Sequence, residues 1–362
     1  MNYFIVSRVV AFFALANLAL VVYIVLRRAL QHPSDPKKSA RRAEYGDALD
    51  EMLASGEPPS DPTEVLSFHQ RWEADELQSA ILDRADLLRG SSLEVLTGVF
   101  ARSGLFEARV RDLGSRRVWD RRLAADALGR SGSQDAVRHL ALSLRDDDDD
   151  VRSIAAKGLG KLRAVSAIGY LVSLFRDIAD RSCVSVADTL IGLGEDAVPA
   201  LLDAAGDPGS SERTLYWVLR CLESIGDPAG TIRAAHEAGP HIAPAMTHES
   251  ERVRAAAASA LGRLGAVSDA QLLRVAFGDP APEVRRQAAA AAGRVAGVEA
   301  VPWLLELFGD PDFDVSYSAS RALLSFGDGA VDAAQSLAGT AQGAAYERAL
   351  EVLDAAGRTV AL

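Results

Sequence analysis

Two stretches 31 residues apart decide the fold: ERVRAAAASALGRLG, Glu251 to Gly265, and PEVRRQAAAAAGRVAG, Pro282 to Gly297. In the first, Val253, Ala257, Ala260, Leu261 and Leu264 fall at i, i+4, i+7, i+8 and i+11, which is one stripe of an α-helix. Gly265 follows, where a left-handed residue ends a helix at little cost. Outward from Leu261 the same signature recurs at Leu128, Leu159, Leu190, Leu222, Ala292 and Leu323, in steps of 31, 31, 32, 39, 31 and 31 residues. Weaker copies lie at Phe100 and Leu353, giving nine units.

Each unit reads as two helices. The shorter first helix is leucine-rich, as in VPWLLELF, Val301–Phe308, with Pro302 in the first turn where its missing N–H costs nothing. The corner between the helices is Gly-Asp-Pro at Gly206–Pro208, Gly278–Pro280 and Gly309–Pro311, which suits a helix stop followed by an acidic N-cap. A pair of about 31 residues cannot bury its apolar face alone, so equivalent pairs stack and bury one another. Alanine suits positions where helix backbones come close, and aromatics are only 6% of the chain, which favours thin, helix-rich packing.

This pattern of acidic turn, Val-Arg, two alanines and Leu-Gly-x-Leu-Gly resembles HEAT repeats, especially the bacterial subclass named for its likeness to phycobilin lyase subunits. Asp279 with Val284-Arg285 and Ala288-Ala289 matches it, as do Val151-Arg152, Ala155-Ala156 and Leu159-Gly160. The resemblance implies an all-α fold, an α-α superhelix of about nine helix pairs, used mostly for protein interaction and sometimes for catalysis. The segment SRRVWDRRLAADALG, Ser115–Gly129, also resembles bacterial one-span HEAT proteins associated with membrane glycosyltransferases, which suggests such a partner.

The N-terminus reads differently. Val9 to Leu26 is an 18-residue run with no charge and one polar residue, Asn17, long enough at 1.5 Å per residue to approach a bilayer core of about 30 Å. Arg27-Arg28 follow at once, without a small-residue cleavage site, so a single transmembrane anchor is favoured over a cleaved signal peptide. Basic residues after the span place the remainder in the cytoplasm, on a cytoplasmic (inner) membrane. The expected domains are an anchor over 1–28, a basic, Pro-containing tether over 29–61, N-terminal capping helices over 62–91 and the solenoid over 92–362. Within the tether, residues 43–53 carry a short helical pattern.

Charge narrows the partners. The chain has a net charge of −11, residues 1–45 carry +5 and the rest −16, so generic nucleic-acid binding is disfavoured. Cys183 and Cys221 sit in no metal-spaced motif and read as small apolar fillers.

The candidate sites each have a plain structural reading. Five aspartates, Asp146–Asp150, align with Asp310, Asp312 and Asp314 and read as corner and capping carboxylates rather than a calcium loop. Arg121, Arg152, Arg254 and Arg285 share one repeat position beside those corners, which predicts a ladder of charge-assisted bonds to aspartates such as Asp279 and Asp310. The 39-residue unit holds Pro228–Ser250, with His236, Glu237, His241, His248 and Glu249. Its His-Glu pairs resemble those of di-iron HEAT-like hydroxylases, but the symmetry-related second set is missing, so a surface excursion that contacts a partner is expected. Trp119, Tyr216, Trp217, Trp303, Phe313 and Tyr317 are further contact candidates, with core packing expected for Trp217 and Trp303. No nucleophile and base pair at a recognisable spacing. The resulting expectation is a membrane-tethered protein-interaction scaffold, not an enzyme, with no cofactor and no metal. The alternative is a lyase-like enzyme or a metal-dependent hydroxylase framed by the solenoid and using the three histidines.

Overall fold

The computed structural model of the protein describes residues 36–55, 66, 68–176, 180–227, 229–264, 270–295 and 297–358. All regular structure among them is helical. The chain divides into two compact units, residues 1–108 and 109–362.

In the first unit, α1 (Pro36–Ser55) packs on α2 (Arg71–Ala85), and α3 (Ser91–Arg102) follows. The stretch read from the sequence as a tether is therefore largely a 20-residue helix. Its Pro36 occupies the first turn, and Tyr45, Leu49 and Met52, at i, i+4 and i+7, supply its buried stripe. The Arg84 guanidinium donates to both oxygens of Asp50 at 2.7 and 2.8 Å and ties the two helices together.

The second unit alternates short first helices with longer second helices. The first helices after α4 (Leu105–Asp112) are α6 (Ala136–Ser143), α8 (Ile168–Leu174) and α10 (Val198–Gly206). They continue with α12 (Ala238–Ile242), α14 (Ala270–Ala276), α16 (Val301–Glu306) and α18 (Asp328–Ala338). The second helices are α5 (Val118–Arg130), α7 (Asp149–Lys161), α9 (Asp180–Leu193) and α11 (Glu212–Ile225). They continue with α13 (Glu251–Leu264), α15 (Pro282–Val295), α17 (Phe313–Leu324) and α19 (Ala344–Ala355). Each second helix packs against the next. Val253, Ala257, Ala260, Leu261 and Leu264, the stripe read from the sequence, are all buried.

Two devices fix the spacing of this stack. The first is steric. The glycine just after the anchor residue of one repeat meets the residue just before the anchor of the next. A Cβ built on Gly129 would lie 2.5 Å from the Gly158 Cα, on Gly262 2.4 Å from the Ala291 Cβ, and on Gly293 2.9 Å from the Ala322 Cβ. Gly160 faces Thr189 in the same way at 3.0 Å. The second device is electrostatic. Arg121 clasps Asp146 with two bonds of 2.7 Å, Arg254 clasps Asp279 at 2.7 and 3.0 Å, and Arg285 clasps Asp310 at 2.7 and 2.9 Å. Each fork reaches 25 residues forward. The same register from Arg152 leads to Asp177, which lies outside the described residues.

The corner aspartates differ from their expected role. Asp146 and Asp310 accept the backbone N–H two residues on, each at 2.9 Å, and receive the arginine fork. The N-caps of α7 and α17 are Asp148 and Asp312, whose carboxylates accept the next N–H groups. At α11 the N-cap is Ser211. The cap lies two residues beyond the fork aspartate whether Asp147 or Pro311 stands between them. Burial pushes the Asp279 and Asp310 carboxyls up, but the arginine fork and a backbone N–H outweigh it and hold both below the usual range.

The expected membrane span over residues 9–26 lies outside the described residues. Among the described residues no helix is long and apolar enough to cross a membrane. Helix α1 has the length, but it carries Lys37, Lys38, Arg41 and Arg42. The transmembrane element and the inner-membrane location are corrected accordingly: no described part of the fold supports them.

Two stability experiments follow. In urea unfolding, Gly262→Ala should cost about 1–3 kcal/mol through overpacking against Ala291. Gly192→Ala, where nothing lies within 4 Å of the added carbon, should be neutral or stabilising by up to about 1 kcal/mol. Arg285→Met should cost about 3 kcal/mol. Glu306→Gln, which breaks the exposed pair with Arg274, should change stability by less than about 0.5 kcal/mol. Because the Asp310 pKa is depressed in the fold, the fork contributes above the unfolded carboxyl pKa of about 3.9 and is lost as pH falls. The gap between wild type and Arg285→Met should therefore narrow below about pH 4.

Candidate functional site

Both spacing devices lapse on α9 and α11. The arginine position is taken by Cys183 and Leu215, both buried, and the glycine position by Ile191 and Glu223. At the α11–α13 joint, Glu223 instead accepts a bond of 2.8 Å from the Ser259 hydroxyl. A side chain thus stands at each of these joints, in the place held by Gly129, Gly160, Gly262 and Gly293 at theirs.

Toward the first turns of α9, α11 and α13 lies a cavity of about 830 Å³ lined by Arg176, Val184, Glu212, Arg213, Tyr216, Trp217 and Arg252, with Ser211 at its edge. Its size falls in the range of small-molecule sites, roughly 300–1,000 Å³. The aromatic wall is preorganised. Trp217 stacks on the fully buried Phe175, with centroids 6.0 Å apart and planes at 11°, and meets Tyr216 edge-on at 5.6 Å. The Arg252 guanidinium lies 4.5 Å above the centre of the Tyr216 ring. Among the described residues the lining holds three arginines and one carboxylate, Glu212, on a chain whose net charge is −11.

A second aromatic surface lies on α17. Phe313 and Tyr317 are 67% and 47% exposed and stack with centroids 6.0 Å apart. The buried Arg348 of α19 sits 4.7 Å from the Phe313 ring centre and donates to the Ser316 hydroxyl at 3.1 Å. Trp119 on α5 is also exposed, at 66%. Trp303 is half-buried and meets Phe277 edge-on. Trp217, expected in the core, is half-buried and turns its remaining surface to the cavity.

The 39-residue unit is not a surface excursion. Pro240 and Pro244 break its first helix into three turns, Arg233–Glu237, α12 and Ala243–Thr247, because each proline lacks the N–H that a continuous helix requires. Ala235, Ala238, Ile242, Ala245 and Met246 are buried, and α12 packs between α10 and α13. His236 is exposed, with Nε2 3.2 Å from the Gly230 carbonyl. His241 lies over Gly206, and the His248 Nδ1 accepts from the Ser250 N–H at 3.0 Å. Glu237 and Glu249 are exposed. Among the described residues no group of three or more His, Cys, Asp or Glu could hold a metal ion. The structure does not gather these histidines into a metal centre.

Sequence reasoning named Tyr216 and Trp217 but passed over Arg176, Arg213, Arg252 and Val184. Arg252 is two residues from Arg254 and was hidden by it, since only Arg254 keeps the repeat register. The available signal was the joint loss of glycine and arginine at the two central anchors, Leu190 and Leu222.

Comparison with known proteins fits this architecture. Residues 113–190, 230–292 and 270–355 match the family model for HEAT repeats. The bilin biosynthesis protein RpcF of Synechococcus sp. (strain WH8020) is 34% identical over 99 residues, 27% of this chain and 46% of that protein. The chain thus spans about half the length of the curated relative it matches. Kap121p in its complex with Pho4p has the same kind of fold, with a TM-score of 0.50 and 13% identity over 91% of this chain and 43% of that one. The CpcE–CpcF complex of phycocyanin lyase from Nostoc sp. PCC7120 superposes with a TM-score of 0.31 and 22% identity, over 69% of this chain and 94% of that one. The likeness to a bilin biosynthesis protein overturns the expectation that the chain is not an enzyme. None of these proteins is named as a membrane glycosyltransferase, and that partner is withdrawn together with the membrane scaffold. The matched stretches make up more than half of the chain, and this protein belongs to the HEAT-repeat family.

Proposed function

We propose that the chain has a lyase-like role on bilins, holding a linear tetrapyrrole in the α9–α11 cavity while the rest of the solenoid engages a protein partner. The observation that carries this reading is the cavity itself, which sets two aromatic side chains, Tyr216 and Trp217, among three arginines. A linear tetrapyrrole has a conjugated face that suits Tyr216 and Trp217, and carboxylates that suit the arginines. The 34% identity with a bilin biosynthesis protein supports the choice of ligand. The exposed Phe313–Tyr317 pair is the matching choice for a protein contact, being aromatic and prepacked. The His236, Glu237, His241, His248 and Glu249 segment is a second candidate contact, through its exposed members.

The chain's own thiols set how the pigment would be held. Cys183 and Cys221 are fully buried, and burial pushes the Cys221 thiol up to about 12. A thiol that keeps its proton is a poor nucleophile, so the complex with this chain is noncovalent.

Titration of the purified chain with biliverdin should give saturable binding, read as a shift in pigment absorbance. Tyr216→Ala and Trp217→Phe should weaken it about tenfold or more, at the lower end of base–aromatic stacking energies of about 1–3 kcal/mol. Trp119→Ala should leave it unchanged. No saturable binding, or an equal loss on Trp119→Ala, would overturn the reading. Native protein treated with iodoacetamide at pH 8 should keep both thiols, whereas unfolded protein should lose both. Pigment should separate from the chain in acid urea, and pigment retained there would contradict noncovalent holding.

A further inference from the structure

The cavity carries more information than its aromatic wall, because its arginines are unevenly constrained. Arg252 comes from α13, the second helix of the repeat after the one that supplies Tyr216, and its guanidinium carbon lies over that ring, 4.5 Å from its centre. A guanidinium held over a ring loses side-chain freedom before any ligand arrives, which lowers the cost of binding. Arg213 stands at the first turn of α11, and Arg176 follows α8, so the three arginines reach the cavity from three different elements. Glu212 is the single carboxylate in the lining among the described residues. No repeat device accounts for the three. None occupies the fork position shared by Arg121, Arg152, Arg254 and Arg285.

We infer that Arg252, held in place by Tyr216, acts with Arg176 and Arg213 to select planar conjugated ligands that carry two carboxylates over their uncharged counterparts. This rests on the reading that a tetrapyrrole occupies the cavity, and it adds which chemical feature of the ligand the cavity selects. A guanidinium presents a planar fork that matches a carboxylate, and such charge-assisted bonds are stronger than neutral ones. The negative charge of the rest of the chain repels anions at a distance, so discrimination comes from the contact itself. It should weaken as salt rises.

The test compares biliverdin with its dimethyl ester, which keeps the conjugated face and removes both charges. Wild-type protein should bind the free acid about tenfold or more tightly than the ester. Arg252→Gln should weaken acid binding about tenfold and leave the ester unchanged, closing most of the gap. Tyr216→Leu should weaken binding of both forms through loss of the face, and should narrow the gap as well, because Arg252 loses its support. Arg176→Gln and Arg213→Gln should each lower acid affinity more than ester affinity. Thermal unfolding of each variant checks that the fold is kept.

The outcomes separate the two ideas. If neither form binds, the tetrapyrrole reading itself fails. If both forms bind equally to wild type, the pigment site stands and the role of the arginines is overturned. A gap that persists unchanged in all three arginine variants also overturns it, by placing the discrimination elsewhere.

Discussion

The close approach of consecutive second helices is the constraint on which the rest of the second unit depends. Where Gly262 meets Ala291, a single added carbon would stand 2.4 Å from its neighbour, so the two backbones are about as near as helices can come. Alanine and glycine at these joints do more than favour helix. They set an interaxial distance, and every other residue of the repeat is placed by it. Leucine and valine on the inner stripe are then buried without large aromatics, which explains how a chain with so few rings fills its core.

The arginine forks act at the corners, on the opposite end of the helices from the glycine joints. One repeat donates a planar fork and the next receives it on an aspartate whose other bond goes to its own backbone. The aspartate is thereby fixed from both sides. Such bonds are directional, so they set register where apolar packing alone would permit sliding.

Much of this was legible in the sequence because repetition carries it. The period, the stripe through Val253 and Leu261, the Pro302 start of α16 and the arginine position all repeat and could be read by alignment of the chain with itself. What was not legible lies where composition and structure part. Pro36 looked like a linker residue, yet it begins a helix whose Tyr45, Leu49 and Met52 are buried. Pro240 and Pro244 looked like marks of a surface loop, yet they divide a packed first helix into turns around Ala238 and Ile242. Proline signals a break in hydrogen bonding, and it does not say whether the broken segment is buried. The cavity was equally hidden, since Arg252 and Arg176 gain meaning only when Tyr216 and Trp217 are placed beside them.

The same constraint decides where a ligand site can exist. At Gly129, Gly160, Gly262 and Gly293 the neighbouring helices leave no room beside the joint. The cavity opens instead toward the first turns of α9, α11 and α13, at the end of the helices away from these joints. The chain replaces the glycine at Ile191, Glu223 and Leu324, and the fork arginine of the same helices at Cys183, Leu215 and Ser316. Losing both devices costs rigidity, and the local remedy is visible in the aromatic packing. Phe175 backs Trp217, Trp217 abuts Tyr216, and Tyr216 carries Arg252 from the next helix. That chain of ring contacts bridges the interval that glycine and arginine span elsewhere. The residues that restore cohesion are thus the ones that line the opening, and a substitution that weakens the wall would loosen the joint as well. Departure from the repeat is what turns a structural element into a chemical one here.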